Sequence, residues 1–204
     1  LYGLRLGGFL TLRERSASFA RELEASRERS ARINGGVKLA IWISVAALYV
    51  AMASPAVFTL SAANGGIVVP TLPLGVLLMA CGLLLETAAD QQKANRKAKE
   101  PGRFVSSGLF AIVRSPNYFG EMVFWFGSFV SGLAAYRSLV AWAIALTGLV
   151  CIELIMLGSA RRLEIKQAER YGSDPAYEEY ARRVPILIPL LPLYSLRKLR
   201  VYLG

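Results

Sequence analysis

Residues 90–121 read DQQKANRKAKEPGRFVSSGLFAIVRSPNYFGE, and this polar stretch is set between an apolar run at 67–88 and a second at 118–135. It carries Lys93, Arg96, Lys97, Lys99, Arg103 and Arg114, and it ends in Asn117-Tyr118-Phe119-Gly120-Glu121 as the next apolar run begins. Further runs occupy 37–60 and 139–158. Each of the four is close to the ~20 residues that cross ~30 Å of hydrocarbon as a helix. A closed β-barrel would need shorter alternating segments, and none is present. The fold class is therefore an all-α, polytopic integral membrane bundle.

Composition agrees. Of 204 residues, 54% are hydrophobic and only 19% charged, with a mean hydropathy of +0.42. The formal charge of +10 does not point to nucleic acid, because the basic residues flank apolar spans in the positive-inside pattern. Between the first and second spans lies the uncharged SAANGG, residues 61–66, and between the third and fourth only Arg137 is charged. An even number of spans puts the N-terminal region, the central loop (89–117) and the C-terminal region on one side, assigned to the cytoplasm. A bacterial inner membrane or the endoplasmic reticulum would suit this topology. The chain divides into residues 1–36, read as the end of a preceding helix plus an interfacial segment, and a membrane domain at 37–204. It starts on Leu1 and is expected to lack an N-terminal part.

The absence of His removes the commonest general acid/base and the usual catalytic zinc ligands, so no metal is expected. Cys81 and Cys151 lie inside apolar runs and read as buried free thiols. Residues 163–180 read as a helix interrupted near Gly172-Ser173-Asp174-Pro175. The Pro-broken tail IPLLPL (188–193) should pack on the bundle or the interface rather than cross.

Glu86, Glu121 and Glu153 sit within or at the edge of spans, where a carboxylate costs a few kcal/mol unless it has a partner or a water-filled cavity. Glu121 follows Asn117 by one helical turn, so the two share a face. An amide and a carboxylate pointing into a bundle can hydrogen-bond a planar amide. The same residues would equally suit a helix start, with Ser115 or Asn117 as cap and Glu121 favouring the positive end. Glu86 and Asp90 are also a turn apart, readable as hydroxyl recognition or as part of a wet helix end. Lys97, Arg103 and Arg114 could neutralise phosphates, or simply supply the basic excess of a cytoplasmic loop. Gly120, Gly127, Ser128, Ser131 and Gly132 give the spacing of close helix packing.

Taken together, Gly108-Leu109-Phe110, the run Arg114 to Glu121, Trp125, the preceding Glu86, Ala89-Asp90 and Gln92-Lys93, and Tyr177-x-x-Tyr180 with Val184-Pro185 and Ile188-Pro189 resemble a known family. It is the steroid 5α-reductase-like integral membrane group (DUF1295). Membrane methyltransferases acting on isoprenylcysteine or phospholipids are related to it. The resemblance implies a bundle that holds NADPH at its cytoplasmic mouth and reduces a carbon–carbon double bond in a hydrophobic steroid- or lipid-like enone. Its partners would then be that lipid-soluble substrate and the membrane lipids.

Carried over by position, Asp90, Arg103, Asn117, Tyr118 and Glu121 match cofactor-contacting positions, the C-terminal helix beginning near Arg161 and Glu164 would close over the cofactor, and Lys97 and Arg114 join them as cofactor-binding candidates. Asn117 and Glu121 would fall near the nicotinamide and Arg103 near the phosphates. Glu121 and Tyr2 would be catalytic, Tyr2 as proton donor in Tyr2-x-x-Arg5. Two departures stand out: Ser115 replaces a His common in the group, and Arg96 replaces an aromatic residue. The alternatives are a SAM-dependent methyltransferase of a membrane-embedded thiol or phospholipid, and a non-catalytic membrane scaffold.

Overall fold

A computed structural model describes residues 33–199 together with Gly7, Thr11, Glu24 and Ala31. The chain divides into two compact units, Leu1–Ala47 and Leu48–Gly204. Tyr2 lies outside the described residues. Among those described there are helices and no strands. The helices are α1 (Gly35–Asn64), α2 (Leu72–Lys99), α3 (Pro116–Ser131), α4 (Leu139–Tyr171) and α5 (Pro175–Arg183), with 3-10 turns at Gly108–Ala111 and Leu133–Ala135. Three of them, α1, α2 and α4, are long and apolar enough to cross a membrane. α3 has 16 residues, and its apolar course continues through the second 3-10 turn.

Turn chemistry sets the breaks. Gly66 adopts φ 75° after α1, where a side chain would be strained. Ser138 starts α4 by accepting the Ala141 N–H at 3.1 Å, and Asp174 starts α5 by accepting that of Ala176 at 2.9 Å. Pro55 sits inside α1, where the helix loses a donor. The neighbouring Ser54 hydroxyl donates to the Ala51 carbonyl, the kind of local repair that lets Pro stand in an apolar helix.

α2 and α3 run antiparallel and touch backbone to backbone. A Cβ on Gly82 would meet the Gly120 carbonyl oxygen at 2.5 Å, and one on Gly127 would meet the Met79 nitrogen at 2.7 Å. At the far end Gly75 lies against Ser131, whose carbonyl accepts from the Thr71 hydroxyl at 3.3 Å. Gly75 and Gly82 on one helix, and Gly120 and Gly127 on the other, are seven residues apart, so each recurs on one face after two turns. Close packing had been expected on the α3 side alone. Across the bundle Gly148 of α4 meets the backbone of Ala51 and Met52, and Met52, Ile152 and Met156 form a buried cluster there.

Three sequence expectations change in detail. α2 does not end with its apolar run but continues through Asp90 and Lys93 to Lys99. The segment AADQQKANRKAK consists largely of good helix formers, and Arg96, Lys97 and Lys99 in the last turn complement the negative helix end. The irregular part of the central loop is therefore confined to 100–115. α4 likewise runs unbroken past residue 158 to Tyr171, and the break before Pro175 falls where the sequence placed it. The thiols are free but not buried: Cys81 is exposed and Cys151 intermediate, because both lie outside the glycine-lined helix contacts.

Candidate functional site

The described polar residues gather where α2 ends, α3 begins and α4 leaves its apolar stretch. The loop 100–115 is held there by named contacts. Gly108, at φ 61°, leaves room for Gln92, whose side-chain oxygen accepts the Leu109 N–H at 3.1 Å. Lys97 donates to the Arg103 carbonyl and to the Tyr171 hydroxyl, the latter at 2.7 Å. Phe104 stacks on Tyr180 and meets Tyr177 edge-on. The Tyr180 hydroxyl donates to the Phe110 carbonyl at 2.7 Å. Burial pushes the Tyr177 and Tyr180 phenols above their ordinary range, with Arg114 pulling both partly back.

Arg114 and Glu164 are each only 2% exposed, and they meet at 3.5 Å. Glu164 also accepts the Leu196 N–H at 2.8 Å and faces Arg197 at 3.5 Å. Arg114 donates to the Tyr194 carbonyl through its side chain and to the Pro185 carbonyl through its backbone. The pair thus clasps the C-terminal tail against α4, where Ile186, Leu187 and Leu196 bury themselves around Ala160. Of the IPLLPL segment expected to pack, Ile188 and Leu193 join this cluster, while Leu190 and Leu191 stay exposed. Beside the clasp lies an open cleft of about 600 Å³ lined by Glu164, Tyr177, Arg182, Tyr194 and Arg197 among others.

Asn117 and Glu121 lie on α3, partly buried and one turn apart. Ser115 occupies the position before the helix, yet its hydroxyl makes no capping bond, and Pro116 opens the first turn. The Asn117 side-chain oxygen is buried with no hydrogen-bond partner among the described residues, and so is the Arg161 Nε. Their sequence neighbours Tyr118 and Ala160 belong to one apolar cluster. Glu121 is near enough to Glu153 of α4 for their charges to interact. Glu153 lines an apolar crevice of about 260 Å³ with Phe119, Met122, Val123, Phe126 and Leu149.

The remaining expected residues are placed as follows. Asp90 is half-buried on α2. Arg103 is exposed, pairs with Glu100 at 3.6 Å, and lines an open pocket of about 200 Å³ with Arg96, Phe104, Ser106 and Ser107. Arg114 and Glu164 come together with each other and with the tail; Arg103 sits apart, on the outer side of the loop. Sequence reasoning missed the Gln92–Gly108 lock, although a glycine opening a 3-10 turn was its visible signal. It also missed the clasp, which joins side chains 50 positions apart and leaves no local pattern. No group of three or more Cys, Asp or Glu able to hold a metal occurs among the described residues.

The fold and these clusters define an all-helical protein of membrane type with a polar mouth at one end. Residues 1–184 match the family described as "Protein of unknown function (DUF1295)", so the chain belongs to that family. It is 35% identical over 89 residues to the uncharacterized protein C594.04c of Schizosaccharomyces pombe, a match that covers 43% of this chain and 24% of that protein. No solved structure matches.

Proposed function

We propose that the chain is a steroid 5α-reductase-like, NADPH-dependent reductase of a carbon–carbon double bond in a hydrophobic enone. The observation that carries this reading is the buried side-chain oxygen of Asn117, which has no hydrogen-bond partner among the described residues, one turn before Glu121. Burying an amide acceptor without a donor costs about 1–3 kcal/mol, and an incoming carboxamide N–H₂ of a nicotinamide would repay it. Arg161 Nε, likewise without a partner among the described residues, and the Arg96–Arg103 pocket add donors and positive charge suited to the anionic part of a dinucleotide. The residues present therefore fit the cofactor. When bound it supplies the hydride. Asn117 and Glu121 orient its amide, while the apolar walls of the bundle keep water from the reacting end.

In this reading Arg114 and Glu164 are positioning residues, since their charged groups already face each other and the tail. Tyr2 is proposed as proton donor on the family resemblance. α3 is proposed to cross as a fourth span, which places the loop, the tail and the N-terminal region together on the cytoplasmic side of a bacterial inner or endoplasmic reticulum membrane.

The test is NADPH binding to purified protein in detergent. Asn117→Ala and Glu121→Ala should each weaken binding at least about tenfold, the equivalent of one lost charged or amide hydrogen bond. Unchanged affinity in both variants would sink the assignment, and binding of labelled SAM in place of NADPH would favour the methyltransferase reading. With neither ligand bound, a scaffold would remain.

A further inference from the structure

The tail makes a tied loop whose tip is apolar and exposed. Its ends are joined by the Ile186 N–H donating to the Leu193 carbonyl at 2.9 Å, and its base is the buried pair Ile186 and Leu187. At the tip Leu190 is 100% exposed, and Leu191 follows, also exposed. Leu190 stands at φ 66°, the only non-glycine positive φ among the described residues. A left-handed backbone at a leucine costs on the order of 1 kcal/mol, and full exposure of its side chain to water forgoes about 2 kcal/mol more. Both costs fall on the same residue, between Pro189 and Pro192.

The depth of this loop follows from α4. The base packs on Ala160, together with Leu157 and the α3 residues Tyr118 and Met122. At 1.5 Å per residue, Ala160 lies about 30 Å along α4 from Leu139, one hydrocarbon thickness from the apolar start of the helix. With the hydrocarbon beginning at Leu139, the loop falls at the opposite boundary between hydrocarbon and headgroups. Exposed Arg182 and Arg183, paired along α5 with the solvent-exposed Glu178 and Glu179, precede it, and Arg197, which also faces Glu164, and exposed Lys198 follow it. Apolar residues at the tip with cations on both flanks match an anionic bilayer surface.

We propose that the 186–193 loop is a lipid-binding wedge, with Leu190 and Leu191 inserted among the headgroups of an anionic leaflet and the flanking basic residues on its phosphates. The test is a spin label at Leu190→Cys in a Cys81→Ser, Cys151→Ser background, reconstituted in phosphatidylcholine vesicles with and without phosphatidylglycerol. A Ser173→Cys label serves as a water-side reference, and Leu191→Cys as a second tip site should Leu190→Cys not fold. At the tip, molecular oxygen should relax the label more than a water-soluble nickel chelate does, and the anionic lipid should widen that difference; at 173 the order should reverse. A tip label relaxed mainly by nickel would overturn the proposal by placing the loop in water. A tip label reached by neither reagent would also overturn it, by placing the loop against protein.

Discussion

At the residue scale, the glycines between α2 and α3 and the buried carboxylate of α4 carry the sharpest expectations. Gly82→Ala would place a methyl 2.5 Å from backbone atoms that have no room to move, whereas Gly102 has nothing within 4 Å of its would-be Cβ. Gly82→Ala should therefore lose about 1–3 kcal/mol and lower the unfolding midpoint in detergent, with Gly102→Ala as the silent comparison. Glu164→Gln keeps an acceptor for the Leu196 N–H but leaves the Arg114 and Arg197 guanidinium groups without their shared counter-charge. Losing one partner of a buried pair costs about 3–5 kcal/mol, so the tail of Glu164→Gln should be released to trypsin at Arg197 and Lys198 well before that of the parent protein. Equal cleavage rates would show that the amide contact alone holds the tail.

At the element scale, the aromatic cluster of Phe104, Tyr171, Tyr177 and Tyr180 ties the loop to α4 and α5. Burial raises the folded-state values of the Tyr177 and Tyr180 phenols, so the folded chain holds those protons more tightly than the unfolded one. Their contribution is fully present below the unfolded value of about 10 and is lost as pH rises above it. Tyrosinate absorbance on alkaline titration should lag for Tyr177 and Tyr180, as for the likewise buried Tyr136, and the late rise of the first two should coincide with exposure of the loop to protease. Phenols that titrate freely with the rest would contradict the packing.

Much of this scale was readable beforehand. Arg137-Ser138 and Gly172–Pro175 mark breaks through turn chemistry, which is local; of SAANGG only Gly65-Gly66 lies in the turn, because α1 runs on through Ser61–Asn64. The extension of α2 to Lys99 was not, because hydropathy ends at the membrane boundary while helix propensity does not. The Asn117 and Glu121 face was visible as a one-turn spacing; its unpaired buried oxygen depends on what surrounds it, and no spacing encodes that. The clasp of Arg114 and Glu164 was visible only as two charges assigned to a ligand, since the two meet directly across 50 positions of chain and no local pattern encodes that contact.

At the scale of the whole molecule, apolar surface dominates three long helices, with Trp42, Val50, Leu84 and Leu139 among their most exposed side chains. Such surface belongs against lipid, so the polar contacts concentrate at one end of the bundle. The antiparallel pair α2 and α3 also bears on how that end can move. Glycines two turns apart set each backbone into the other like meshed teeth, and sliding by one residue would drive side chains into backbone atoms. The pair behaves as a fixed frame. The 100–115 loop hung between its ends therefore has its two attachment points at constant separation.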